Sequence, residues 1–565
     1  MTMPRASVRA HVLHVVPWMA IATLGVLSSL GCAKVESGAG GQGGAAGSGG
    51  VSGSGGSNRL AVVATNPEDG ATDVDPSTTV AITFSEALDV SSVDSSTFSL
   101  AAPAEPALPA TVSVESSTTA VMELDEPLAL LASYTATAAA SITGVGGGTL
   151  ESEATWSFRV RDGAWRDAAA IDSNATANNI VVTFDDSGVG TAVWNGGDNT
   201  SLQASRYHPE IGWSAPQPIT NASSVSPRGL GADQQGNLIL VWLDSSTTDA
   251  GEIWASRYTS GDGWDVPERI SDPGDADRPQ LAVEPSGGAI AVWEEDPSPD
   301  FAQIWASRYA PGGGGWGDPE RIDAGNAGRA IFPRVELDVD GNALAVWQQS
   351  DGTRDNIVAN RFTPVGGWGS PAPIESNIGD AFGPSVGIDD SGRGIAVWTQ
   401  SVGSDDQLWF NRFAPSEGWG EAEAIQAQQS AIATTPVLAV NGAGAAFAAW
   451  SELETDRFDH WAARYTPEGG WASPQRIEAD NAGSAFPGGI GVDPNGNALV
   501  VWYQSDGTRN NILGNRYEVG AGWNLAVVID SGDEAAVSPR LAVDRFGRAL
   551  AVWPQAGQAV ANRFE

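Results

Sequence analysis

The chain has 565 residues, with 69 Asp plus Glu against 29 Lys plus Arg, a net charge of −40. At ~150 residues per domain this length suits three or four domains, and a hydrophobic content of 41% excludes wholesale disorder. A field of that sign repels phosphate backbones, so no nucleic-acid partner is expected.

Arg5 and Arg9 precede an apolar run over residues 12–30, and the first acidic residue is Glu36. That layout predicts an export signal over residues 1–31. Ser29-Leu30-Gly31-Cys32 resembles the lipobox of bacterial lipoproteins. Gly31 fits; Leu30 stands where a small residue is usual, and Ser29 where Leu is usual. The resemblance implies lipidation of Cys32, which is also the single cysteine of the chain. The alternative is an ordinary secretory signal with an incidental thiol. Ala33 is not the Asp that in this family signals inner-membrane retention, so the resemblance implies the outer membrane or cell surface. Residues 32–58 are rich in Gly, Ser and Ala and predict a flexible tether from a membrane-held end.

Residues 59–161 are expected to form a β-sandwich. Strand-like runs occur at Val80-Ala81-Ile82-Thr83-Phe84, Thr97-Phe98-Ser99-Leu100, Thr111-Val112-Ser113-Val114, Tyr134-Thr135-Ala136-Thr137 and Thr155-Trp156-Ser157-Phe158. The phrase Asn66-Pro67-Glu68-Asp69-Gly70-Ala71-Thr72-Asp73-Val74, followed by Phe84-Ser85-Glu86, resembles the bacterial Ig-like domain of surface proteins. That resemblance implies a stalk without chemistry of its own.

From residue 162 to 565 one pattern recurs eight times. A Val-Trp or Ala-Trp closes an apolar strand at Trp194, Trp242, Trp293, Trp347, Trp398, Trp450, Trp502 and Trp553. Each is followed by Arg plus an aromatic, from Arg206-Tyr207 to Arg563-Phe564, and a second Trp follows a glycine-rich turn, as at Trp213 and Trp523. A run such as Pro539-Arg540-Leu541-Ala542-Val543-Asp544 is the fourth mark. Four strands in ~50 residues make a propeller blade. We label them A, B, C and D, ending B at the first Trp and starting D at the second. The chain then enters on the D strand at Trp165 and leaves on the C strand at Phe564, which predicts closure by pairing the two. The fold class expected is all-β: an Ig-like β-sandwich followed by an eight-bladed β-propeller. The repeat resembles sialidase-like propellers but departs from their Asp-box. In Asp493-Pro494-Asn495-Gly496 the Asp and Gly are three apart, and Trp502 lies six further on.

Sixteen of the 22 Trp are these marks, and the others are placed by the signal, the sandwich and the C strands. They are expected to fill the space between sheets, with the repeated Arg stacked on them or bonded to blade carbonyls. The Asp-x-x-Gly turns read as hairpins. Calcium would need six to eight oxygens, of which Asp338 with Asp340, or Asp389 with Asp390, supply a start; no cofactor is expected. Cleavage at Cys32 leaves His208 and His460, too few for a zinc or Cys/His set.

Function is expected on the longer, more varied loops. These are the D–A loops (323–332, 375–382, 478–486) and the B–C loops (294–303, 349–356, 452–460, 504–511) of one face. Two B–C loops share Ser-Asp-Gly-Thr-Arg, which marks Asp351, Arg354, Asn356, Asp506, Arg509 and Asn511 as candidate ligand-binding residues. The whole reads as a lipid-anchored surface binding protein for a glycan or protein ligand. The alternatives are a propeller glycoside hydrolase or lyase using paired carboxylates, and a structural envelope protein.

Overall fold

The structure, a computed structural model, describes residues 59–172, 177–196, 201–246, 251–272, 275–296, 301–323, 328–375, 379–425, 433–454, 456–478 and 483–565. The expected signal, tether and Cys32 lie outside these residues. No helix among them is long and apolar enough to cross a membrane.

Residues 60–160 form a sandwich of two four-stranded sheets. One runs Val62–Asn66, Val80–Phe84, Thr119–Leu124, Ala110–Ser116; the other runs Ala71–Val74, Ala154–Val160, Ser133–Ala138, Phe98–Ala101. Alternation explains the layers. Val80, Ile82 and Phe84 point inward with Phe98, Leu100, Met122, Tyr134, Trp156 and Phe158, all buried in one core. The Tyr134 hydroxyl accepts from the Ala129 amide at 3.0 Å, which settles its polar end.

Eight further sheets follow, each with the same order. Blade 4 shows the pattern: Ala330–Leu337 (A), Ala343–Ser350 (B) and Asp355–Thr363 (C) pair antiparallel in turn. C then pairs two short D pieces, Gly367–Trp368 and Ala372–Pro373. Blades 1 to 8 begin their A strands at Ile180, Val225, Ala276, Ala330, Ala381, Val437, Ala485 and Arg540. Each A strand packs on the next, and that of blade 8 packs on that of blade 1, so the ring is closed. Blade 8 takes its fourth strand from the other end of the repeat region. Ala169–Ala170 pairs with Gln558–Phe564, and Trp165 bridges Phe564. This clasp leaves no open edge at the seam.

The repeated residues are the packing code. The eight B-strand Trp are at most 1% exposed. In most blades the indole N–H reaches a carboxylate or amide two residues on, as in Trp347 to Gln349 (3.0 Å), Trp398 to Gln400 (2.9 Å) and Trp450 to Glu452 (2.8 Å). That bond makes full burial of a Trp affordable. Each D-strand Trp packs edge-on or tilted against the C-strand aromatic of its own sheet, with centroids 5.4–5.6 Å apart in all eight.

The repeated Arg behave differently from expectation. Six of the eight lie over the Tyr or Phe of the next blade, not over Trp, among them Arg206 on Tyr258, Arg308 on Phe362, Arg361 on Phe413, Arg464 on Tyr517 and Arg516 on Phe564. Arg563 of blade 8 lies over Tyr207 of blade 1. Arg206 also donates to Asp185 in an A–B turn (2.8 Å), and Arg516 to Asp493 (3.2 Å). The neighbouring Trp is already held by its own blade, so the cation is free to link one blade to the next.

The sandwich rests against the A–B and C–D turns of the propeller. The Leu130 amide donates to the Phe546 carbonyl (2.8 Å), and its side chain is buried with Leu499, Ala549 and Phe564. Arg159 donates to Glu518 (2.6 Å), and Arg545 pairs with Glu126. The opposite face, made by B–C and D–A loops, is left uncovered by the sandwich.

Candidate functional site

The first residues of the A strands rim the central channel on this uncovered face. In blades 3, 4 and 5 the pairing of A with B slips where two A residues oppose the buried Trp. These are Arg278-Pro279, Phe332-Pro333 and Gly383-Pro384. Arg278 (φ 50°) and Phe332 (φ 57°) take up left-handed backbone there, as does Ser538 (φ 51°) before Pro539. In blade 2 the extra residue is Arg228, and in blade 7 it is Gly488. A bulge re-aims the side chains around it, and left-handed non-glycine residues carry a conformational cost of order 1–3 kcal/mol each.

Besides Arg278, three arginines stand on these bulges or just after them. Arg228 sits on the bulge of blade 2, while Arg334 and Arg540 are the first regular residues after Pro333 and Pro539. Arg334 and Arg540 line one cleft of about 470 Å3 with Ser385, Thr434, Thr435 and Phe486. The protein packed around the channel mouth depresses the basicity of half-buried Arg334, repulsion from Arg540 adds to it and Glu294 opposes it; Arg540 is lowered likewise and by Arg228, although the side chains of Arg540 and Arg228 are exposed. Among the described residues none of the three has a carboxylate within 4.0 Å, although the chain carries 69 acidic side chains. Arg334 donates only to its neighbour's carbonyl, at Pro333 (2.9 Å). Glu336, two residues deeper on the same strand, is pushed up to about 7 by burial.

Aromatic surface lies beside the arginines. Phe332 is 36% exposed and carries the Arg278 guanidinium over its ring at 4.8 Å. Phe486 stacks on Tyr503 at 5.4 Å and 27°, and Phe458 packs on it at 5.4 Å. Arg278 is neutralised by Glu294 (2.7 Å), which also accepts from the Phe332 amide (2.7 Å).

The six residues singled out from the shared B–C loops have partners inside the protein. Asp351 accepts from the Thr353 hydroxyl (2.6 Å) and amide (2.8 Å) and from the Arg354 amide (3.0 Å), bonds that hold its carboxyl below the usual range. Arg354 donates to the Gly379 carbonyl (3.2 Å) and to buried Glu375 (3.0 Å). Asn356 is buried and donates to the Gln349 carbonyl (3.3 Å). Blade 7 repeats the device. Asp506 accepts from Thr508 and Arg509, Arg509 donates to Asp530 (2.7 Å), and Asn511 donates to Asp506 (3.0 Å). Both arginines pin a D–A loop to a B–C turn, in blades that are not neighbours.

Ser451 with His460 and the Asp338 turn, two other groupings of reactive side chains, are occupied within the fold. Ser451 Oγ lies 3.1 Å from His460 Nδ1, but both are 0% exposed, and burial pushes the imidazole down to about 3. Asp338 is spent on its own turn, accepting from the Asp340 and Asn342 amides (3.0 and 2.8 Å). Among the described residues no cluster of three or more His, Cys, Asp or Glu could hold a metal. A 520 Å3 groove between blades 5 and 6 and a 400 Å3 one between blades 1 and 2 are lined by repeated Arg and aromatic positions. They are copies of the inter-blade packing, away from the channel.

The channel arginines carry no mark of the repeat and so are not visible in its pattern. The signal is a departure. The A-strand position of Arg540 holds Val181, Gly229, Gln280, Arg334, Ser385, Val437 and Gly489 in the other blades, while its surroundings stay constant.

The fold and this face define an Ig-like domain joined to an eight-bladed β-propeller. Residues 56–160 match the family described as bacterial Ig-like domain. Among solved structures the chain is similar to an α-L-arabinanase of Penicillium chrysogenum complexed with arabinobiose. Identity is 16% and TM-score 0.35, over 51% of this chain and 92% of that one. It is similar to an ulvan lyase of a polysaccharide lyase family (10%, TM-score 0.39, 70% and 93%). It is also similar to the Aleuria aurantia lectin in complex with a fucosylated disaccharide (12%, TM-score 0.32, 63% and 97%). No curated protein matches the sequence.

Proposed function

We propose that the chain is a glycan-binding module held at the cell surface by lipid on Cys32, its propeller presenting the B–C and D–A face to ligand. One observation carries the reading: the face turned away from the sandwich has exposed aromatic rings beside polar and charged side chains around a channel mouth. Flat apolar rings flanked by hydrogen-bonding groups suit a sugar, whose C–H face stacks while its hydroxyls bond. Anchoring through the tether would hold that face clear of the membrane.

The test is retention of the purified full-length chain on a panel of polysaccharides, with released fragments scored in the same experiment. Saturable retention without fragments is the expected result. Fragments would replace the binding reading by a hydrolase or lyase. Absence of both would refute it and leave a protein partner or a structural role. Lipidation is tested separately by the mass of the mature N-terminal peptide, which should begin at acylated Cys32.

A further inference from the structure

We propose that Arg228, Arg334 and Arg540 form an oxyanion subsite at the channel mouth that takes an acidic sugar, a uronate carboxylate or a sulfate ester. The inference rests on the glycan reading above and narrows its substrate class.

The argument starts from cost. A guanidinium in a confined space is stable when a carboxylate or a ring accepts its charge. Many arginines of this protein follow that rule: Arg354 has Glu375, Arg509 has Asp530, Arg278 has Glu294, and Arg308 and Arg361 lie over rings. Among the described residues the three channel arginines have no carboxylate within 4.0 Å and no ring beneath them; Glu294 acts on Arg334 only from farther away, and repulsion runs from Arg540 to Arg334 and from Arg228 to Arg540. With acids outnumbering bases 69 to 29, a shortage of carboxylates cannot be the reason.

Packing does not require them either. At the same position blades 2 and 7 have Gly229 and Gly489, where even a Cβ would meet Leu281 or Leu541 of the next blade at 2.6–2.7 Å. Where the column holds arginine instead, at Arg334 and Arg540, the side chain lines the cleft at the channel mouth. Two of the three reach one cleft, whose remaining lining offers the hydroxyls of Ser385, Thr434 and Thr435 and the ring of Phe486. Cations for one oxyanion, hydroxyls for sugar oxygens and a ring for the sugar face make a set that a neutral glycan would use only in part. The overall charge of −40 also keeps polyanions off the rest of the surface, which makes the pocket selective.

The experiment uses the full-length chain with polygalacturonate, dextran sulfate and neutral dextran, by titration calorimetry at fixed ionic strength. Expected is binding to one or both acidic polymers, with dextran weaker. The Arg334→Gln/Arg540→Gln variant should lose at least ten-fold affinity for the acidic polymer, about the worth of one charge-assisted contact. The acidic polymer preferred tells carboxylate from sulfate ester. Equal affinity of the folded variant for the acidic polymer overturns the subsite. So does dextran binding as tight as that of the acidic polymers, which would leave the glycan reading standing. If no polymer binds, the glycan reading fails, and inorganic sulfate then decides the subsite. A rise in Tm with sulfate in the wild type that is absent from the variant retains it, and equal shifts overturn it. Arg228→Gln, on an exposed bulge, gives the same readout should the double variant not fold.

Discussion

Blade 6 holds a pair of buried carboxyls whose titration can be worked out from their surroundings. Asp459 has a side chain 0% exposed and receives Arg457 (2.8 Å) and Arg476 (3.2 Å). Burial works against its charge, but these bonds, with that from Glu478, keep it below the ordinary carboxylate range. Glu478 is pushed up to about 8, by burial first and then by its hydrogen bond to, and repulsion from, Asp459. At neutral pH the pair therefore keeps one proton, held on the Glu478 side while Asp459 is ionised. A carboxyl raised in the folded state binds more protons folded than unfolded. Its contribution is whole below the ordinary value of 4.5 and is lost as pH rises to about 8. A rise of about three and a half units caps the loss at ~5 kcal/mol. Glu478→Gln keeps the shape and a donor toward Asp459 while removing the titration. In urea unfolding followed by Trp fluorescence, the variant should match the wild type within ~1 kcal/mol at pH 5 and exceed it by 2–4 kcal/mol at pH 8.5, an order-of-magnitude range. The difference between the proteins isolates this group from other carboxyls raised by burial, such as Glu294 and Glu452. An equal midpoint at pH 8.5 would refute the proton held on Glu478.

Trp347→Ala removes a fully buried indole and its bond to Gln349 and should cost ~3–5 kcal/mol, read as a lower urea midpoint. Arg354→Ala takes the guanidinium from buried Glu375 and should cost ~3 kcal/mol, read as a fall in Tm, while glycan retention by protein that is still folded stays unchanged. Leu130→Ala opens the contact between sandwich and propeller at Leu499 and Phe564; limited proteolysis should then cut near residues 161–164 at least several-fold faster, with propeller fragments intact. Arg516→Ala breaks the link from Asp493 to the ring of Phe564 at the closing blades and should lower Tm more than Arg393→Ala, whose guanidinium is half exposed.

How much of this was legible in the chain depends on whether a residue repeats for a reason shared by every blade. The Trp of B and D, the Arg-aromatic pair and the Asp-x-x-Gly turn recur because all blades bury the same surface, so count, order and the Trp165 clasp follow from spacing alone. Three sandwich strands were not anticipated. Ala71–Val74 is a short edge strand held by one parallel partner, Val62–Asn66 is mostly exposed, and Thr119–Leu124 buries three consecutive residues without alternation. The partner of each repeated Arg was equally hidden, since the ring it covers is some 50 residues on and belongs to another blade. Repetition also misled. Ser-Asp-Gly-Thr-Arg occurs twice because two turns need the same lock on a D–A loop, and a lock satisfied within the fold has little left to offer a ligand. A ligand site in a propeller is made by what the blades do not share, since the ligand meets the ring at one place. The informative comparison is therefore within the chain, position by position: a column that holds Val, Gly, Gln, Ser and two unevenly placed Arg beside invariant neighbours, with Arg228 one residue before it in blade 2, is where packing has stopped dictating the residue.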